Sequence, residues 1–418
     1  MSTAKTDAEN TVSVATVQQR TVRTLASAQL INGLGYAVSV PAGSLLATSI
    51  AGSEAVGGFA QTSAVAGAAV FALPMARLAL TKGRRISLVT GFGLAAIGAL
   101  IVIAGAVMHN VAIVLIGTFF AGVSSAAGYQ ARYTATDLAT DEHRARALSF
   151  VVWGSTIGAV LGPNLLGVTG NLGTALGIPQ MSGPYVLTAV CMAITVLVLW
   201  TLLRPDPYLL SVKLRGAKGP VNHRVRDGIA HVKRHPRAIL AITAISVGHM
   251  AMVMVMVMTP VHMKHVDVSL TIIGLVISVH IAGMYALAPV VGWATDRFGR
   301  TQVVFAGVLI LIVSCIIAGL AAADNSVQLG IGLFLLGLGW SCTLIAGSAM
   351  LVDVIPVAER PPVQGFSDLA MNVAGAVGGA IAGVIVLEAG YGWLCAAAVI
   401  PVAFLGVMTA LPRFRVTG

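Results

Sequence analysis

Gly292-Trp293-Ala294-Thr295-Asp296-Arg297-Phe298-Gly299-Arg300 is a charged break between two apolar runs, 270–294 and 301–323. Outward from it the same alternation continues. Ten further apolar runs follow the pattern, at 24–49, 57–80, 86–107, 110–131, 147–169, 184–203, 238–261, 326–351, 364–387 and 391–411. A spanning helix needs about 20 apolar residues, so the spacing predicts an all-α membrane protein with twelve transmembrane helices. Composition agrees. Of 418 residues, 57% are hydrophobic and only 10% are charged, against roughly 25% charged in a soluble domain. The mean hydropathy is +0.91. These values exclude a soluble globular domain, a disordered chain and a disulfide scaffold. The 47 glycines suit helices that pack closely in lipid.

The charged break has a counterpart 216 residues earlier, where Gly83-Arg84 matches Gly299-Arg300. At the same offset Asp137 matches Asp353, Arg144 matches Arg360, Gly162 matches Gly378 and Gly167 matches Gly383. The expected organisation is two pseudo-symmetric six-helix bundles, 1–203 and 238–418, joined by a linker at 204–237. Such halves place a central pathway at their interface. Lys and Arg set the orientation. With both ends on one side, 24 of the 25 basic residues fall on that side, Lys264 being the exception. That side reads as cytoplasmic, which makes the chain a multi-pass protein of the inner or plasma membrane. The stretch Arg204–Arg237 carries nine basic residues and two acids, a pattern suited to topology and to anionic lipid. No nucleic-acid partner is expected, because the charge is spread over loops. The residues before Arg23 do not read as a signal peptide. Cys191, Cys315, Cys342 and Cys395 lie in apolar stretches and read as small buried hydrophobes.

Gly292, Asp296, Arg297, Gly299 and Arg300 follow the G-x-x-x-D-R-x-G-R pattern of the major facilitator superfamily, which the whole chain resembles in its twelve spans, 6+6 repeat and long central loop. The resemblance implies a loop whose Asp caps or pairs with the start of a helix in the other half. It also implies a monomer. The first copy, Ala76-Arg77-Leu78-Ala79-Leu80-Thr81-Lys82-Gly83-Arg84-Arg85, departs from the pattern. Its Asp position is Leu80 and its Arg position is Thr81. Gly83, Arg84 and Arg85 therefore belong either to a gating loop or to a set of positive anchors. Gly158, Gly162, Pro163 and Gly167 resemble the tail of the G-x-x-x-G-P-x-x-G-G motif of proton-coupled antiporters. Leu166 replaces one glycine, and Ser149 stands where an earlier one belongs. Ordinary close packing explains the same residues. The turns Asp137…Arg144 and Asp353…Glu359-Arg360 resemble turns that recur in the superfamily and are expected to form an ion-pair cluster with the motif loops. Solvated pairs contribute little stability, so their expected role is in gating.

Polar groups inside spans are costly and mark candidate sites. Asp368 lies about 10 Å into a helix that starts near Pro361-Pro362, at 1.5 Å per residue. It reads as a proton carrier or as an interfacial Asp, with Asn372 one turn on. Arg132 faces a cavity or, the favoured reading, snorkels to the surface. Gln29 and Asn32 line a cavity or bond a neighbouring helix. His249 begins a run in which five Met alternate, Met250 to Met258. Helical spacing puts His249, Met252 and Met256 on one stripe and Met250, Met254 and Met258 on another. His280 and Met284 share a face of the next span. Thioether and imidazole groups suit Cu(I), and Met252, Met256, His280 and Met284 resemble the M-x-x-x-M and H-x-x-x-M pattern of a copper-importing branch of the superfamily. An apolar wall for lipophilic substrates and plain packing are the competing readings. His280 is also a candidate proton site. His109, His262 and His265 are expected in solvated external turns.

Nothing cradles a phosphate, no nucleophile–base pair suggests an enzyme, and no cofactor is expected. The expectation is a secondary transporter of a small solute, exporting small organic compounds in exchange for protons. Uptake of copper or another metabolite is the alternative, and a non-transporting scaffold the reading from a different class.

Overall fold

A computed structural model describes residues 2–52, 54–215, 232–264 and 268–414. The linker residues 216–231, His265 and Asp267 lie outside the described residues. All regular structure among the described residues is helical. Among the described residues eleven helices are long and apolar enough to cross a membrane, or twelve if a bent pair is counted as one span.

The chain divides into two units. The first is Met1–Val225 with Val357–Gly365, and the second is Arg226–Pro356 with Phe366–Gly418. The short segment Val357–Gly365, assigned with the second bundle by sequence, packs with the first.

The first unit holds α1 (Ser2–Ala51), α2 (Glu54–Lys82), α3 (Arg84–Val107), α4 (Val111–Ala121), α5 (Val123–Thr134), α6 (Arg144–Leu161), α7 (Leu166–Ala175), α8 (Gly183–Leu202) and α9 (Pro207–Leu214). α4 and α5 form one span, Val111–Thr134. α6 and α7 are the bent pair, turned by 67° about a short 3-10 stretch at Gly162–Leu165. Gly162 and Pro163 sit in the break, where proline cannot donate a helical hydrogen bond.

The second unit holds α10 (Pro236–Lys264), α11 (Leu270–Tyr285), α12 (Ala288–Phe298), α13 (Arg300–Gly319), α14 (Ser326–Val354), α15 (Arg360–Ala389) and α16 (Tyr391–Ala410). α11 and α12 are two parts of one span.

The repeat seen in the sequence recurs in the packing. In the first unit α1 packs on α8, α3 on α4 and on α8, and α2 on α4. In the second, α10 packs on α16, α13 on α14 and on α16, and α11 on α14. Small residues set these distances, as expected where lipid gives helices no hydrophobic reason to associate. A Cβ on Gly158 would run into the backbone of Gly33 and Leu34, and one on Gly162 would run into Ala37. Side chains such as Phe59, Ile97, Leu275, Phe404 and Trp393 point outward and stay exposed, which is the surface a lipid solvent requires.

Candidate functional site

The two copies of the charged loop are built alike. Gly83 (φ +90°) and Gly299 (φ +105°) both take a left-handed backbone, a region costly for other residues. Each turns the chain so that the next residue, Arg84 or Arg300, starts a helix.

In the first copy Arg84 Nε donates to Asp137 Oδ2 at 2.9 Å, and Nη2 reaches Asp137 Oδ1 at 3.3 Å. Nη2 also donates to Gln364 Oε1 at 2.6 Å. The guanidinium lies 5.8 Å from the centre of the Tyr208 ring. Both partners of the ion pair are 0% exposed. The sequence predicts a solvated pair for Asp137, and the burial corrects it. It also removes Arg84 from the class of surface anchors. Burial pushes the Asp137 carboxyl above its ordinary range, against the pull of Arg84. A buried charge without its partner costs several kcal/mol, on the order of 3–5, so the two residues depend on each other.

Around this pair lies a second set of contacts. Ser87 donates to Met75 O at 2.7 Å and to Gln130 Oε1 at 3.1 Å. Leu80, in the position of the missing Asp, is buried with Tyr208, Val212 and Val357. A Cβ on Gly365 would meet Ala76, which leaves no room for a larger residue. The Asp206 carboxylate caps α9, accepting from Tyr208 N and Leu209 N, both at 3.1 Å. Its other oxygen accepts from Arg85 N at 2.7 Å. The Arg85 side chain instead lies over the Trp200 ring, 5.0 Å from its centre.

The second copy is more open. Arg300 Nε donates to Asp353 Oδ2 at 2.9 Å, with the side chains 13% and 19% exposed. Arg300 Nη2 lies 3.4 Å from Asp296 Oδ1, and Nη1 donates to Thr295 O at 3.3 Å. Gly292 is buried on α12, while Arg297 is exposed.

Within the spans of the first unit, Gln29 Nε2 donates to Gly128 O at 3.4 Å and Asn32 Nδ2 donates to Gln29 Oε1 at 3.3 Å. The first bond ties α1 to α5 and the second lies within α1. Arg132 is 1% exposed. It does not snorkel, which corrects the favoured reading. Its guanidinium sits between aromatic faces, 5.1 Å from the Tyr129 centre and 4.7 Å from the Tyr133 centre. Gly158 and Gly162 face α1, whereas a Cβ on Gly167 would meet nothing within 4 Å.

Within the second unit, Asp368 is 1% exposed. Asn372 Nδ2 donates to its backbone oxygen at 2.7 Å. Asp368, Asn372, Gly375 and Gly379 share one stripe of α15. Gly375 faces His249, and Gly378, beside that stripe, faces Met250 and Met254. His249 Nδ1 accepts from Trp340 Nε1 at 3.1 Å, and Tyr285 stands edge-on to Trp340 at 5.8 Å. His280 is fully buried, and its Nδ1 bonds to Leu333 O at 2.8 Å. A carbonyl only accepts, so the proton is on Nδ1. Met252 and Met284 are buried, and Met256 is half-buried. No group of three or more His, Cys, Asp or Glu able to hold a metal occurs among the described residues. His262 is half-buried and stacks on Tyr391 at 4.3 Å. It is not solvated as expected, while His109 is exposed. The four cysteines are buried and free.

Asp206, Tyr208, Gln364 and Trp340 are absent from the sequence reading. The first two stand inside a linker read only for its charge. Gln364 and Trp340 carry no charge to draw notice inside an apolar run.

The family model of the Major Facilitator Superfamily matches residues 25–269 and 244–416. The chain belongs to the major facilitator superfamily. This facilitator is 35% identical over 374 residues to the uncharacterised MFS-type transporter YdeG of Bacillus subtilis, covering 89% of this chain and 87% of that one. It is 27% identical over 409 residues to the riboflavin transporter RfnT of Brucella anthropi, covering 97% and 98%. Its fold is similar to that of the proton:xylose symporter XylE, with a TM-score of 0.72 at 14% identity over 94% of this chain and 95% of that one. The facilitator is accordingly a membrane transporter of small solutes and not an enzyme.

Proposed function

We propose that this facilitator is a proton-coupled secondary transporter that exports small organic compounds by alternating access, with Asp368 as its proton-carrying carboxyl. The observation that carries the reading is the burial of Asp368 on the polar stripe of α15, beside Asn372 and on the helix that faces His249. A carboxyl at that depth is costly and marks function, and carboxyls so placed serve as proton relays in pumps and transporters. Support for export comes from the break in the α6–α7 span and its glycine packing on α1. In this reading the protein is a monomer in the cell membrane, with the charged loops and both chain ends at the cytoplasmic face.

The Met residues fit an apolar wall better than a copper site. Met250 and Met254 press on Gly378, and both His249 and His280 spend a ring nitrogen on a structural hydrogen bond. Uptake of a metabolite is the second reading, favoured by the nearly full-length match to a transporter named for riboflavin. Copper uptake through Met252, Met256, His280 and Met284 rests only on the unpartnered Nε2 of His280.

Counterflow and gradient-driven flux in proteoliposomes separate these readings. Ethidium stands for the lipophilic substrates, with riboflavin and Cu(I) as the other probes. Export predicts ethidium flux that a pH gradient accelerates, and loss of that acceleration in Asp368→Asn. Flux of riboflavin or Cu(I) alone contradicts it. A scaffold moves none of the three, and Asp296→Asn then has nothing to change.

A further inference from the structure

We propose that Asp206 is a positioning residue of the transport cycle, supplying from the linker the carboxylate that the first charged loop lacks. The inference rests on the transporter reading above. The second loop carries its own carboxylate, Asp296, at 3.4 Å from Arg300. The matching position of the first loop is Leu80, buried in an apolar cluster with Tyr208, Val212 and Val357. No carboxylate comes from the end of α2 itself.

Asp206 fills the gap from 121 residues away. One carboxylate oxygen accepts from Arg85 N at 2.7 Å, in the first turn of α3. The other accepts from Tyr208 N and Leu209 N, in the first turn of α9. Both helix N-termini favour a negative charge, so a single side chain joins them. The fit is close: the Asp206 carboxylate lies 2.6 Å from where a Cβ on Gly83 would stand.

Each of the two joined helices carries one side chain that grips Val357–Gly365. From α3, Arg84 donates to Gln364 Oε1 at 2.6 Å. From α9, the Tyr208 hydroxyl donates to Ala358 O at 3.4 Å. The Tyr208 ring also lies under the Arg84 guanidinium. Asp206 acts through these two side chains. The gripped segment opens α15, the rest of which belongs to the second unit. Alternating access rocks one repeat against the other, and α15 runs on from the gripped segment into the second unit, so in this proposal the grip loosens as the repeats move. Asp206 sets how tightly it closes.

The test labels a cysteine placed under the grip. Val357 is buried at the seal, so Val357→Cys reacts with a thiol reagent only when the grip opens. The native cysteines are buried and give a low background. Labelling is measured in permeabilised membranes and needs no substrate, so a wrong substrate class does not affect it. Adding Asp206→Asn leaves one acceptor oxygen for two helix starts and is expected to speed labelling about fivefold, the size of one lost capping contact. Asp206→Ser still caps α9 but is too short to reach Arg85 N as well, and must speed labelling equally. Unchanged labelling in Asp206→Asn overturns the proposal. So does parent-like labelling in Asp206→Ser, which would make the residue a local cap of α9. If Asp206→Asn fails to fold, the Ser variant decides by the same outcome.

Discussion

Arg84 and Arg300 occupy matching places in the repeat, yet their surroundings differ in burial. Arg84 and Asp137 are both sealed off, whereas Arg300 and Asp353 keep some contact with solvent. Removing one partner of a sealed pair leaves a buried charge behind. Arg84→Ala is therefore expected to lower stability by roughly 3–5 kcal/mol. Arg300→Ala should cost about 1 kcal/mol, because water and salt already screen its pair. Thermal unfolding of both variants in detergent measures the difference, and equal losses would contradict it. At this scale the sequence is informative where chemistry repeats. Gly83-Arg84 and Gly299-Arg300 can be matched by eye, and both glycines take the same left-handed backbone. It is uninformative where partners are distant. Nothing local shows that Asp206 reaches Arg85, or that Gln364 completes the Arg84 site. The reading of Arg132 fails for a related reason. Its nearest companions, Tyr129 and Tyr133, offer ring faces, and a guanidinium stacks on those as readily as it reaches for water.

At the scale of elements, small residues decide which helices touch. Gly158 faces the α1 backbone, and Gly167 faces open space. Gly158→Val must push α6 from α1 and is expected to cost about 1–3 kcal/mol. Gly167→Ala should be neutral or slightly stabilising, since alanine favours a helix by up to about 1 kcal/mol. Retention of folded protein after heating separates the two, and a sensitive Gly167 would refute the packing account. The spans themselves are legible from apolar length alone. Boundaries shift where helices such as α1 and α15 run on past the apolar stretch. The bend between α6 and α7 is not legible. Gly162 and Pro163 mark a weak point in the helix, but only packing determines whether it turns by 67° or stays straight.

For the whole molecule, the twofold plan is written in the sequence as identities at a constant offset, and the helix pairings of the two units repeat it. What the repeat does not carry is its departures. The first loop exchanges a carboxylate for Leu80. The buried carboxyl Asp368 has no acidic counterpart in the first half, since Val152 stands at the matching position 216 residues earlier. In the proposed function this asymmetry is where proton coupling resides, with Asp368 of the second unit as its carboxyl. The direct test is ethidium flux in proteoliposomes under an imposed pH gradient, with wild type beside Asp368→Asn. The account predicts that the gradient speeds wild-type flux, and that the variant loses this response while keeping gradient-free exchange. A wild type indifferent to the gradient, or a variant that still responds to it, would contradict the account.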